Sequence, residues 1–379
     1  MTRGNEAGRT MVQPRRVHGW KMLLVAAVVL AAFGQAWRAR RPGRAVSDVL
    51  HLDGLTMGTT YRVRVVLPPG ADARMAGTLA AAVESRLDEI NARMSLWDPR
   101  SELSRFNAHR STEPFPCSGE LAALVARALD VAARSGGAFD PTVGPLVHLW
   151  GFGPGGRERP PPSPTEVDAA RERVGYLLVE AGTDRLRKRL PGVELDLGAI
   201  AKGHGADAVA EVVAGFGFDD YLVEIGGDLR VAGRNARGEP WRIAVDRPDP
   251  EAQPGERLHG LLGVSDAGVA TSGDYRNFRR DDRGEAFAHI LDPREGAPVR
   301  GPLASVTVVA GDAALADALA TALFVIGPER GPAWLAGAYP DAEALFLVVE
   351  GGDVREIATP GFHARTDYRT LNAGPGRDH

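Results

Sequence analysis

The sequence predicts an α+β fold of mixed, mainly antiparallel sheets with flanking helices, plus an N-terminal hydrophobic helix. Three observations lead there. Short alternating apolar and polar runs mark many strands, while long helical stretches are few and do not take turns with the strands as a doubly wound sheet requires. At 44% apolar and 25% charged residues the composition is that of an ordinary globular protein, which argues against disorder and fibrous architecture. No repeat of fixed period is present.

Residues 22–37 (MLLVAAVVLAAFGQAW) form the uncharged apolar run that predicts the first helix. Residues 59–67 (TTYRVRVVL) alternate as a strand does, and Pro68-Pro69-Gly70 ends it. A helical stretch runs from about Ala73 to Met94, and a second from about Gly119 to Arg134, where Gly136-Gly137 stops it. Residues 153–164 (GPGGRERPPPSP) read as a surface loop able to separate two lobes of a body spanning 45–368, with a flexible tail at 369–379. Next come a short helix from Pro164 to Arg173, strands near 176–180 and 193–197, and a Gly-rich turn into a helix at 202–214. Strands near 221–231, 241–246 and 258–264 follow, then a hairpin-like region around 267–291, a strand at 304–310, and helices at 312–326 and 328–338. The pair 343–349 and 353–357, split by Gly351-Gly352, reads as a terminal hairpin.

Charge is divided along the chain. Forty-two Arg and 3 Lys stand against 49 acids, but residues 1–44 hold nine basic side chains and one acid, Glu6, which makes them +8 and leaves the body at −12. An acidic body offers no basic face to neutralise phosphates, which excludes nucleic acid as a partner class. The apolar run is bracketed by Arg15, Arg16 and Lys21 before it and Arg38, Arg40 and Arg41 after it, the layout of a targeting segment. Its sixteen residues fall short of the roughly 20 that cross a hydrocarbon core, a gap that snorkelling Lys21 and Arg38 would close. The context Gln35-Ala36-Trp37-Arg38 is poor for signal cleavage and favours an uncleaved anchor over a removed signal peptide. The body is therefore expected on the periplasmic side of a bacterial inner membrane, anchored or secreted through this segment. The single cysteine, Cys117, permits no intrachain disulfide and no Cys-based metal site, and nothing beside it in sequence makes a catalytic thiolate.

Two stretches carry candidate chemistry. Leu195 to Gly205 (LDLGAIAKGHG) places Asp196, small residues and Lys202 on a strand-to-helix turn. Glycines there let the backbone approach a ligand closely, and free amides at a helix start attract phosphate, although the spacing is neither a Walker loop nor GxGxxG. In a chain with fourteen times as many Arg as Lys, a Lys at this turn points to a compact ammonium; the plainer alternative is a solvated lysine just inside a helix. Within 312–326 (DAALADALATALFVI), Asp312 fits an N-cap, while Asp317 and Thr321, four apart, share a face of a helix apolar enough to be buried. No Lys or Arg of that helix is present to partner a buried carboxylate. Two oxygen ligands on one face suit a hard cation such as Mg²⁺, which completes its shell with water and substrate phosphates; the alternative is Asp317 facing solvent. Gly273 to Asn277, Ala288 to Pro293 with His289, and Glu224 to Asp228 are polar clusters with turn chemistry and no single reading. His148 reads as a core residue.

Taken together these stretches resemble the FAD:protein FMN transferase (ApbE) family, from about Met57 to Arg365. The blocks that carry the likeness are Met57-Gly58-Thr59, Met94 to Pro99 with Ser101 to Asn107, Gly137 to Leu146, Asp196 to Gly203, Gly226-Gly227-Asp228, Thr271 to Tyr275, His289 to Pro293, and Ala316 to Ala322. Each is weak alone; eight in the same order are specific.

The resemblance implies an ApbE-like fold and a Mg²⁺-dependent transfer of FMN from FAD, the substrate, to a threonine or serine hydroxyl of an acceptor protein, with a phosphoester formed and AMP released. It implies a metal held by Asp317, Thr321 and the carbonyl of Ala199, and an FAD site lined by Met57, Trp97, Ala138, Phe139, Asp140, Asp196, Lys202 and Leu291. His289 and Asp292 would organise the acceptor hydroxyl and, with Asp317, make the catalytic set. Family acceptors carry a motif like Asp-x-x-[Ser/Thr]-Gly-Ala-[Ser/Thr] and are expected to be subunits of a membrane electron-transfer complex; this chain has no such motif, so self-modification is not implied. Two departures are visible: many relatives are lipoproteins whereas no Cys follows the apolar run here, and Glu224 precedes the diglycine. Two other readings stay open, a Mg²⁺-dependent FAD pyrophosphatase with water as nucleophile and a periplasmic flavin-binding protein without turnover.

The N-terminal reading has a direct test. On cell fractionation the full-length chain should sediment with the inner membrane, with its body open to protease only after the outer envelope is breached; recovery as full-length soluble cytoplasmic protein refutes the anchor.

Overall fold

Alternation in the strands sets the first layer. In Thr59–Val66 the side chains of Tyr61, Val63 and Val65 are buried while Thr60 and Arg62 are exposed, so one face is apolar and must be covered. Tyr221–Ile225 repeats the pattern, with Tyr221, Val223 and Ile225 inward and Leu222 and Glu224 on the other face. The computed structural model describes residues 48–371 apart from 69, 72, 155–159, 250, 254, 274–277 and 281–285. In it these strands belong to an eight-stranded antiparallel sheet. Its order is Val49–Thr56, Thr59–Val66, Tyr221–Ile225, Asp228–Ala232, Ala267–Gly273, Leu303–Ala310, Glu343–Glu350 and Asp353–Ala358.

Helices cover one face. Leu79, Val83 and Leu87 of the Ala73–Met94 helix and Val209 and Val213 of the Ala201–Gly215 helix pack on Val63, Val65 and Val223. Leu319 and Leu323 of the Ala313–Ile326 helix join Leu121, Leu124 and Val125 of the Gly119–Ser135 helix over Val306 and Val308. The opposite face carries a small three-stranded sheet of Trp241–Asp246, Leu258–Val264 and Arg369–Thr370, whose Trp241, Ile243 and Leu262 meet Val231, Val269 and Leu347. With cover on both sides, Leu303–Ala310 is buried at every position. The fold is thus α+β with mainly antiparallel sheets and flanking helices, as the sequence predicts.

Local signals explain most boundaries. Ser118 accepts from the Leu121 amide at 3.2 Å to start the Gly119–Ser135 helix, and Gly136 at φ 60° ends it. The edge strand Val49–Thr56, which alternation alone does not reveal, folds back on Thr59–Val66 through Met57-Gly58, both at positive φ (49° and 72°), the twist that suits a two-residue hairpin. The N-terminal segment 1–44, with the hydrophobic helix expected over 22–37, lies outside the described residues, as do the centre of the 153–164 loop and the tail beyond Leu371. Among the described residues no helix is long and apolar enough to cross a membrane.

Two expectations need correction. Residues 193–197 are not a strand, although Val193, Leu195 and Leu197 are buried as alternation requires. Their backbone groups are taken from outside any ladder: Asn107 accepts from the Leu195 amide and donates to its carbonyl, both at 2.8 Å, and the Asp196 amide reaches the Pro141 carbonyl at 2.7 Å. His148 is not a core residue; its exposed ring hydrogen-bonds Glu194 through Nδ1 at 3.0 Å, and that contact outweighs burial in raising its pKa.

The segment that leads into the Asp196–Lys202 turn is also held by Lys188, which is fully buried. Its Nζ donates to the carbonyls of Phe106 (2.9 Å), Val193 (2.9 Å) and Asn107 (3.4 Å) and lies 4.4 Å from the Phe106 ring centroid. Burial pulls this ammonium down to about 8, Arg110 adding to the shift and Glu194 opposing it. Because the folded pKa is depressed, the unfolded chain binds the extra proton between about 8 and 10.5, and stability rises with pH across that window. Lys188→Met should cost about 2–3 kcal/mol by leaving buried carbonyls unserved. Denaturant titrations should show the gap between wild type and variant widening from pH 7.5 to 9.5; a gap independent of pH refutes this account.

Candidate active site

The helix Ala313–Ile326 is apolar on nearly every side, so its start and its few polar residues need partners. Asp312 is its N-cap, accepting from the Leu315 amide at 2.9 Å, and Arg127 binds the Asp312 carboxylate at 2.6 and 2.7 Å. The next two orphan amides, of Ala313 and Ala314, donate to Oδ1 and Oδ2 of Asp207, each at 2.9 Å. Asp207 belongs to the Ala201–Gly215 helix. The service is returned: Asp317 Oδ2 accepts from the Gly203 amide in the first turn of that helix at 3.3 Å. Each helix therefore caps the other with a carboxylate.

Asp317 is 3% exposed, which removes the reading that it faces solvent. The partner missing from its own helix comes from the other one. Lys202 Nζ lies 3.2 Å from Asp317 Oδ2 and 2.5 Å from Oδ2 of Asp228, which is also buried. Burial alone would pull the Lys202 ammonium down, but Asp228 and Asp317 outweigh it and hold its pKa above the ordinary lysine value. Asp228 moves the other way from an ordinary carboxyl: burial first, then the like charge of Asp317, push it up against the attraction of Lys202.

The glycines of this turn do something other than cradle a ligand. A Cβ on Gly203 would stand 2.2 Å from the Ala313 carbonyl oxygen, so only glycine lets the two helix starts meet. At Gly205 the neighbours are Met57 Cε (2.9 Å) and Ile225 Cδ1 (3.0 Å). Nor are all the helix-start amides free for phosphate. That of Ala201 donates to the Leu197 carbonyl at 2.8 Å and that of Gly203 to Asp317.

Above this junction lies a cavity of about 1030 Å³. Ten of the residues singled out from the sequence line it: Ala138, Phe139, Asp140, Asp196, Ala199, Lys202, His289, Leu291, Asp317 and Thr321. Asp140 shapes its loop from within, accepting from the Thr142 amide (2.8 Å) and hydroxyl (2.6 Å) and from the Tyr176 amide (2.8 Å). Burial raises its pKa against those bonds, and raises that of Asp196, which accepts from the Gly198 amide at 2.8 Å. His289 is exposed at the wall, its ring edge-on to Phe152 with centroids 6.5 Å apart. Three singled-out residues do not line the cavity. Met57 sits at the hairpin turn against Gly205, Trp97 is 70% exposed on the loop after Met94, and the Asp292 carboxylate is taken by Arg294 at 2.7 and 2.9 Å.

The junction suits a hard cation. Asp317 supplies a carboxylate, Thr321 a hydroxyl that meets Ser272 Oγ at 3.1 Å, and Ala199, a residue of the cavity wall, a carbonyl that accepts from no donor among the described residues. These are oxygen donors of the kind Mg²⁺ takes. Sequence reasoning named Asp228 in a motif block but gave it no role, since its pairing with Lys202 joins a strand to a helix distant in the chain. It also missed Arg62, Arg64 and Arg242 on the cavity wall; the first two were signalled by the alternation that turns them away from the buried face.

The comparisons agree with this geometry. The model of the ApbE family matches residues 57–346. A FAD:protein FMN transferase of Vibrio cholerae is 40% identical over 320 residues, which cover 83% of this chain and 92% of that protein. One of Salmonella typhimurium is 37% identical, with 80% and 85% covered. Among solved structures, the flavin transferase ApbE from Vibrio cholerae aligns with a TM-score of 0.75 at 38% identity, covering 84% of this chain and 99% of that one. The apo form of the Pseudomonas stutzeri flavinyl transferase ApbE aligns with a TM-score of 0.75 at 36% identity, covering 84% and 97%. With the motif order, the fold and the identity all in accord over most of its length, this chain belongs to the ApbE family.

Proposed function

We propose that this protein is an FAD:protein FMN transferase that moves FMN from FAD to a threonine or serine hydroxyl of an acceptor protein and releases AMP. The observation that carries the reading is the meeting of Ala199, Lys202, Asp317 and Thr321 on the wall of one cavity in a chain of this family. The acceptor oxygen bonds to the FMN phosphorus and gives up its hydroxyl proton to solvent, and the bond from that phosphorus to the oxygen bridging it to AMP breaks, its electron pair leaving with AMP. Asp317, Thr321 and the Ala199 carbonyl would hold Mg²⁺, which when bound neutralises charge on the FAD diphosphate and on leaving AMP. Lys202, kept charged by its two carboxylates, adds fixed positive charge beside the same phosphates. Ala138, Phe139, Asp140, Asp196 and Leu291 form the walls against which FAD is oriented, and His289 receives the acceptor hydroxyl, with the Asp292 carboxylate holding Arg294 in the turn after it. The acceptor is a protein with an Asp-x-x-[Ser/Thr]-Gly-Ala-[Ser/Thr]-like segment, part of a membrane electron-transfer complex. The basic, apolar N-terminal segment supports an anchored, periplasmic body.

Asp317→Asn keeps the size of the side chain and an oxygen for the Gly203 amide but removes the charge a cation needs. Transfer should fall by more than about a hundredfold, with the loss partly recovered at high Mg²⁺. Unchanged transfer at limiting Mg²⁺ would remove Asp317 from the metal site. A second measurement separates transferase from hydrolase. With FAD and Mg²⁺ alone AMP should appear slowly; an acceptor domain bearing the motif should accelerate it and gain the mass of FMN on its threonine. Equally fast AMP release without acceptor, and no mass gained, establishes a pyrophosphatase instead.

A further inference from the structure

The cation site proposed above is divided between two helices. The Ala199 carbonyl rides on the turn just before Ala201–Gly215, while Asp317 and Thr321 ride on Ala313–Ile326. Oxygen ligands on separate elements bind a small cation well only if those elements are seated to within a few tenths of an ångström. Three contacts seat them here: Gly203 against the Ala313 carbonyl, the Gly203 amide on Asp317, and Asp207 across the amides of Ala313 and Ala314. The second uses a ligand oxygen itself. Asp207 does not line the cavity; it meets the metal helix through that helix's first two amides.

Its chemistry exceeds what a cap requires. Asp312 already caps the same helix, so Asp207 brings a second carboxylate to one N-terminus, close to the first. Burial pushes the Asp207 carboxyl up to about 6 against the two amide hydrogen bonds, the like charge of Asp312 adding to the rise and Arg230, with Nε 4.0 Å from Oδ1, opposing it. A hydroxyl or amide oxygen would satisfy one amide at lower desolvation. What the carboxylate adds is two equivalent acceptors in one plane, a two-point clamp that fixes the rotation and advance of one helix start against the other.

We propose that Asp207 is a positioning residue for the transfer reaction, holding the Asp317–Thr321 helix in register with the Ala199 turn so that the three oxygens converge on one cation. The proposal rests on the Mg²⁺ reading, and the test separates the two. The full chain and Asp207→Asn are titrated with Mg²⁺ while thermal unfolding is followed, and the Mg²⁺ dependence of FMN transfer is measured in parallel. Wild type should be stabilised by Mg²⁺. In Asp207→Asn, where one of the two amides loses its acceptor, the Mg²⁺ midpoint should rise about tenfold in both assays. Transfer at saturating Mg²⁺ should stay within about twofold, and the unfolding temperature in chelator within about 4 °C. An unchanged midpoint, or a lower unfolding temperature in chelator with an unchanged midpoint, overturns the proposal and leaves Asp207 a structural cap. Should Asp207→Asn not fold, Asp207→Glu decides: a displaced midpoint at unchanged saturated rate supports positioning, and a wild-type midpoint overturns it. A wild type that does not respond to Mg²⁺ in either assay removes the metal reading and this proposal with it.

Discussion

The seating of two helix starts against each other is the constraint from which the site follows. Helix N-termini present amides without internal partners and a positive end, and two of them brought together would repel and leave donors unserved. Here each start is answered by a carboxylate from the other helix, Asp317 for Gly203 and Asp207 for Ala313 and Ala314. Glycine at 203 lets the backbones touch, and once they do, Asp317 is fixed deep inside at the cavity wall. The sheet beneath supplies the platform: the Gly226-Gly227 turn brings Asp228 under Lys202, and a Cβ on Gly226 would lie only 3.2 Å from Lys202 Cδ.

Charge at that point is arranged around one ammonium. Asp228 and Asp317 are buried close to each other, and the Lys202 ammonium stands against both of them. A compact ammonium fits where a planar guanidinium would not, which accounts for one of the 3 lysines in a chain of forty-two arginines. A second lysine, Lys188, has the opposite surroundings, three carbonyls and an aromatic face, and its pKa falls where that of Lys202 rises. The same residue type thus serves as a fixed charge in one place and as a backbone clasp in the other.

What the sequence made legible is what depends on local chemistry. Most strands and helices from Ala73–Met94 to the Gly351-Gly352 hairpin declare themselves through period and caps, though the short Glu102–Ala108 and Gly144–Leu149 helices and the Arg185–Lys188 strand do not; Asp312 follows from its capping position and the Asp317–Thr321 face from a four-residue spacing. Motif order then brought the remaining site residues together. The misses have a common physical cause: partners distant in the chain. The 193–197 segment has the side-chain pattern of a strand, but Asn107 and Pro141 supply its backbone bonds. The turn glycines read as ligand-facing because nothing local shows that Ala313, Met57 and Ile225 occupy the space beside them. Asp207 carries no local signal, because the two amides it accepts from lie more than a hundred residues away.

The cavity's carboxylates bear on how a nucleophile is chosen. Asp317 is committed to Lys202 and Gly203, Asp196 to the Gly198 amide, and Asp140 to Thr142 and Tyr176. Each of these three already accepts hydrogen bonds from the protein, so none of the three is placed as a ready base for a bound water. A general base must be within hydrogen-bond reach of the proton it removes, and the exposed His289 lies on this wall. Phosphoryl-type transfer asks little of a base when charge on the phosphates is neutralised and the attacking oxygen is aligned, and alignment is what a hydroxyl on a docked protein segment has and a diffusing water lacks. A site with strong fixed charge and weak water activation therefore favours an acceptor that brings its own positioning, which is the physical basis for transfer prevailing over hydrolysis.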